Sequence, residues 1–189
     1  TIEAAVGARG WSSEKAVREM AEPLLPEGVQ DAPLPEPGDL EQALLAGRII
    51  GHAQGFRILS AASEEFEWSL DMARISEIWR AGCIIRSALL DEFADAFRDD
   101  LPGGHLILAH AMRKRLEDSI PALRRVVAAG ALLGVALPAL SAALAWYDSM
   151  RRARGTANMI QAQRDFFGAH GFERDGEEGK FHGTWNPLP

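Results

Sequence analysis

Cysteine is nearly absent from this chain: Cys83 is the only one. A lone thiol excludes an intramolecular disulfide and any cysteine-based zinc site, and it fits a reducing cytosol. A surplus of positive charge is missing as well. Twenty Lys and Arg stand against 27 Asp and Glu, giving a net charge of −7 and a pI near 5.3. No bulk attraction therefore draws the chain to nucleic acid or to an anionic membrane, and any anionic ligand must be held by a local cluster of basic groups. There is no phosphate-cradling glycine loop and no Gly-x-Gly-x-x-Gly, the fingerprint of a dinucleotide fold. Period-2 strand patterning and repeats of solenoid length are also lacking. The chain starts Thr1-Ile2-Glu3-Ala4-Ala5, with neither a secretory leader nor an initiator methionine. That start is expected of a chain that begins inside a longer protein.

Charge disappears altogether from Val126 to Tyr147, 22 residues in all. The count alone would span a bilayer. Eight alanines and the interruptions at Gly130, Gly134 and Pro138 argue instead for buried helices that end near Gly134 and restart at Pro138.

What is present is ordinary for a globular domain: 47% apolar and 25% charged residues over 189 positions, enough for one sizeable core. Helical periodicity dominates, so the expected class is all-α. A first helix is expected over 12–25, capped by Ser12 or Ser13 ahead of Glu14. Pro26 to Gly38 reads as a loop. Asp39 then opens a long helix to about Phe66, with Leu40, Ala43, Leu44, Ile50, Ala53 and Phe56 on one face. Residues 71–98 form a single helical pattern through Ile75, Ile78, Trp79, Cys83, Ile84, Ser87, Leu90, Phe93 and Phe97. Further helices are expected over 105–133, kinked or restarted near Pro121, and over 139–153 and 156–167. The expected division is a helical body, 1–168, and an extended tail, 169–189.

The segment Asn158-Met159-Ile160-Gln161-Ala162-Gln163-Arg164-Asp165-Phe166-Phe167-Gly168-Ala169-His170 places Arg164 and His170 six residues apart. A guanidinium fork with a nearby imidazole suits a phosphate or carboxylate, although two surface groups would look the same. Arg9, in Val6-Gly7-Ala8-Arg9, reads on its own as a solvated side chain. Arg80 and Arg86 lie in a strongly apolar stretch, where their heads should reach carboxylates such as Glu77 or Asp91. Cys83 has apolar neighbours and reads as a buried, inert thiol. His105 and His110 are five apart, a poor spacing for a metal pair on one helical face. The polar tail, ending Pro187-Leu188-Pro189, holds isolated Phe181 and Trp185; it has no core of its own, and a neighbouring subunit is a natural host.

Four strings together resemble the C-terminal, all-helical domain of the decarboxylating 6-phosphogluconate dehydrogenases. They are Ile49-Ile50-Gly51-His52-Ala53-Gln54-Gly55-Phe56, Ile78-Trp79-Arg80-Ala81-Gly82-Cys83-Ile84-Ile85-Arg86-Ser87, Ala157 through His170, and Gly179-Lys180-Phe181-His182-Gly183-Thr184-Trp185. The resemblance implies a cytoplasmic homodimer with tail exchange, in which Arg164 and His170 reach the partner's site and bind the phosphate of 6-phosphogluconate. It implies that Arg9 supplies a further phosphate contact. The intact enzyme would oxidise 6-phosphogluconate at C3 with NADP or NAD and decarboxylate the keto intermediate to ribulose 5-phosphate, a step of the pentose phosphate pathway. The family's Rossmann domain, catalytic lysine and glutamate, and Lys-Gly-Thr-Gly segment have no counterpart here. This chain alone is thus expected to bind no nucleotide and to carry no catalytic residue. Phe166 replaces the family's usual tyrosine. The alternative is a stand-alone, non-catalytic dimerisation or sugar-phosphate-binding module of the same fold.

Overall fold

The computed structural model describes residues 1–29, 31–99 and 101–185. The last four tail residues, 186–189, with Pro187-Leu188-Pro189 among them, lie outside the described residues. Eight α-helices are described: α1 (Ile2–Ser12), α2 (Lys15–Ala21), α3 (Pro37–Glu65), α4 (Met72–Arg80), α5 (Leu89–Arg98), α6 (His110–Leu133), α7 (Pro138–Met150) and α8 (Ala157–Gly168). Two short strands follow, β1 (Phe172–Arg174) and β2 (Glu177–Phe181). The all-α reading of the body holds. Two compact units are distinguished, Thr1–Trp146 and Tyr147–Pro189.

The core of the first unit is the seam where α3 packs along α6. Ala43, Ala46, Ile49, Ile50, Ala53 and Phe56 of α3 are buried there, as are Met112, Leu116, Leu123 and Val126 of α6. The face of α3 differs from expectation at two positions: Leu40 and Leu44 are exposed. The small side chains turn inward instead, and they allow the helices to approach closely. Gly47 does the same toward α7, where a Cβ would lie 2.6 Å from Leu140 Cδ2. Asp39 and Arg125 tie α3 to α6 with two hydrogen bonds, at 2.6 and 2.8 Å. Pro121 is accommodated inside a continuous α6, so the anticipated restart does not occur. Tertiary packing of the buried positions on either side, Ser119, Ile120, Ala122 and Leu123, outweighs the lost backbone bond.

Two helical expectations are corrected. The pattern over 71–98 is two helices packed on each other, α4 and α5, because Gly82 adopts φ +83 and breaks the run. Asp71 caps α4 by accepting from the Arg74 N–H at 3.0 Å. Ile84, in the connection, is fully exposed rather than part of an apolar face. At the start, the first helix is α1. Ser12 and Ser13 end it, their hydroxyls donating back to the carbonyls of Arg9 and Gly10 at 2.7 and 2.6 Å, a competing use of serine that removes them as caps.

The uncharged stretch is resolved as the end of α6, the left-handed Gly134 (φ 72), and the start of α7. A C-terminal glycine of this kind satisfies the last helical carbonyls. Among the described residues, no helix is long and apolar enough to cross a membrane.

Candidate functional site

Helix α8 and the hairpin that follows it build the second unit's site. The helix ends at Ala169, which takes the left-handed conformation (φ 49) and donates its N–H to the Asp165 carbonyl at 2.9 Å. The chain then turns through His170 and Gly171 into β1. The antiparallel pair β1–β2 registers Phe172 with Phe181 and Arg174 with Glu177. Asp175-Gly176 makes the connection, with Gly176 at φ 73, and an Asp-Gly pair is a strong two-residue hairpin signal. Sequence reasoning missed this hairpin. Its strands have three and five residues, too short to show alternation.

Asp165 is the hub of the arrangement. It is buried, and both its oxygens are used. Oδ1 accepts from the Gly171 N–H at 2.8 Å and from His182 Nδ1 at 2.6 Å. Oδ2 accepts from the Gly183 N–H at 2.8 Å and from Trp185 Nε1 at 2.7 Å. Burial pushes the carboxyl pKa up, but the bonds from Gly183, Trp185, His182 and Gly171 outweigh it and hold the group well below the ordinary carboxylate range. Facing an ionised carboxylate, His182 must carry its proton on Nδ1. Trp185 also meets Phe166 edge-on, with centroids 5.8 Å apart, so part of the tail's aromatic surface is covered by α8 itself.

A cleft of about 860 Å³ opens between α8 and the hairpin. Arg154, His170 and Lys180 border it, with the amides of Asn158 and Gln161. The arrangement offers three cationic or ring donors and two amide donors to one space, and suits an oxyanion carrying hydroxyl groups. Arg154 is engaged by Asp175. The Lys180 stem runs across Gly171, where a Cβ would collide with it; Gly171 also has φ 72.

The expected site residues fall as follows. His170 is exposed and borders the cleft. Arg164 lies on α8, exposed, and does not border it; Arg164 Nη1 donates to Gln161 Oε1 at 3.4 Å, and Gln161 does border it. Arg9 belongs to the first unit, exposed in the last turn of α1. Arg80 reaches Asp91 at 2.6 Å, as its setting suggested. Sequence reasoning passed over Arg154 and Lys180, which border the cleft, and the buried Asp165. The signal for Asp165 was a single acid between Arg164 and Phe166-Phe167, followed by glycines whose N–H groups need acceptors.

Among the described residues, no group of three His, Cys, Asp or Glu side chains could hold a metal ion. Among the described residues the only strands follow the last helix, so no strand leads through a glycine-rich turn into a helix N-terminus.

Comparison with known proteins gives a consistent result. Residues 1–185 match the family model for the 6-phosphogluconate dehydrogenase C-terminal domain. A Salmonella typhimurium protein named 6-phosphogluconate dehydrogenase, decarboxylating, is 42% identical over 97% of this chain and 40% of its own length. A Bacillus subtilis protein named as the NADP(+)-dependent, decarboxylating enzyme is 40% identical over 97% and 40%. The solved Plasmodium falciparum 6-phosphogluconate dehydrogenase, studied in its apo form, with NADP+ and with 6-phosphogluconate, superposes with a TM-score of 0.84 at 34% identity. That match covers 96% of this chain and 40% of the other. The chain thus spans about 40% of the length of these relatives. With the family match running from Thr1 through the hairpin to Trp185, the chain belongs to the 6-phosphogluconate dehydrogenase C-terminal domain family.

Proposed function

We propose that this chain is the C-terminal part of a cytoplasmic, homodimeric, decarboxylating 6-phosphogluconate dehydrogenase, and that it supplies substrate-phosphate binding and dimerisation. In the intact protein, C3 of 6-phosphogluconate is oxidised by hydride transfer to NADP or NAD. The 3-keto acid then loses carbon dioxide to give ribulose 5-phosphate. The nucleotide and the proton-transferring groups are assigned to parts of the protein other than these residues. Residues 1–168 form the helical body, and 169–189 form the tail that reaches the partner's site.

The observation that carries this reading is the unbroken family match over residues 1–185, which contains Arg9, Arg164 and His170. A phosphate dianion needs several fixed donors, and two guanidiniums with an imidazole provide them. The cationic border of the tail cleft supports the same chemistry. Because the phosphate is remote from C3, these contacts hold ground state and transition state alike. Losing one therefore raises KM more than it lowers kcat.

The test is Arg164→Ala in the full-length protein. Loss of a charge-assisted contact costs about 1.5–3 kcal/mol, so KM for 6-phosphogluconate should rise roughly tenfold or more, with KM for the nucleotide unchanged. An unaltered KM for 6-phosphogluconate contradicts the phosphate assignment.

A further inference from the structure

The backbone around His170 is held in place by the residue next to Arg164. Asp165 directly follows Arg164, and its hydrogen bonds bracket His170 on both sides. Its backbone carbonyl accepts the N–H of Ala169 at 2.9 Å, and its side-chain Oδ1 accepts the N–H of Gly171 at 2.8 Å. Gln161, one turn earlier on α8, donates from Nε2 to the Gly171 carbonyl. The backbone on either side of His170 is thus fastened to α8, on a segment with two left-handed residues, Ala169 at φ 49 and Gly171 at φ 72. For a residue with a side chain, such as Ala169, this conformation costs energy and persists only where the surroundings over-determine it. The remaining acceptor positions of Asp165 hold His182, Gly183 and Trp185, so the hairpin is anchored to the same carboxylate.

We propose that Asp165 is a positioning residue for substrate binding: by accepting the backbone N–H groups of Ala169 and Gly171 on either side of His170 and tying the tail to α8, it holds the imidazole in register with Arg164. This rests on the phosphate-binding reading of Arg164 and His170. The charge of Asp165 would repel a phosphate if it faced the ligand. It is buried and its oxygens are taken up by four donors, so it acts through geometry.

The experiment uses the full-length protein and compares Asp165→Asn, His170→Ala and the double variant, measuring kcat, KM for 6-phosphogluconate and KM for the nucleotide. An amide in place of the carboxylate turns an NH2 group toward two donors, which releases one edge of the cluster. Asp165→Asn should raise KM for 6-phosphogluconate about tenfold, the scale of one lost contact to a charged group, with KM for the nucleotide unchanged. Combined with His170→Ala, it should add little further, because residues acting through one contact are not additive. A merely structural role predicts a reduced active fraction at unchanged KM, or full additivity, and either result overturns the inference. If His170→Ala and Arg164→Ala also leave KM unchanged, the phosphate reading itself has failed. If those two raise it and Asp165→Asn does not, only the positioning role has failed. Should Asp165→Asn not fold, Trp185→Phe removes one of the four donors while keeping the aromatic contact with Phe166. It should raise KM for 6-phosphogluconate by a smaller factor, and an unchanged value contradicts the proposal.

Discussion

At the scale of single residues, the chemistry of the tail depends on Asp165 staying ionised. Its carboxyl is held below the ordinary carboxylate range by four hydrogen bonds that outweigh burial, so its contribution to stability has a definite sign. A depressed folded value means the contribution is present above the unfolded value, about pH 4, and is lost as pH falls through the folded one. The Trp185 environment, isolated by comparing emission with that of Trp185→Phe, should therefore change as pH drops below about 4. Asp165→Asn should show no such transition in that window; an identical acid transition in both proteins contradicts the account. Spacing left Arg164 and His170 open between a ligand pair and two surface groups, and only the resemblance of the whole string to a known family singled them out. Asp165 was not legible, since an acid beside an arginine in a helix reads as solvated, and the donors that bury it lie 6 to 20 residues further on.

At the scale of elements, most helices of the body were legible from periodicity, because α3 and α6 each bury a run of apolar residues at helical spacing. The breaks were less so. Apolar spacing continues through residues 81–88, but the backbone turns at Gly82, so one pattern serves two helices. Gly28 is a second example. It lies in a loop that reads as featureless punctuation, yet the Val29 N–H donates to the Leu132 carbonyl at 2.7 Å. A Cβ on Gly28 would collide with the backbone of Leu133 and Gly134. The loop is thus docked on the C-terminal end of α6, and only a residue without a side chain allows it. Gly28→Ala should destabilise the fold by roughly 1–3 kcal/mol, the usual scale of overpacking, seen as a Tm lower by several degrees. An unchanged Tm means that the loop is not packed there.

At the scale of the whole molecule, an acidic chain is assigned to an acidic ligand. Its net charge of −7 gives no long-range attraction, so binding rests on a few placed cations at short range. The proposed function assigns that role to Arg9, Arg164 and His170. Phe167 and Trp185 of the second unit remain exposed in the single chain, at 82% and 43%. Exposed aromatics of this size suit burial against another subunit, the role that the proposed homodimer gives them. The most direct measurement is made on a purified heterodimer, with one subunit carrying Arg9→Ala and the other Arg164→Ala. If each site takes Arg9 from one subunit and Arg164 with His170 from the other, one of the two sites is intact and the second carries both changes. The account predicts about half of the wild-type kcat at the wild-type KM for 6-phosphogluconate, as expected for one unperturbed site in two. If every site is built within a single subunit, none is intact, and KM raised for all of the activity would contradict it.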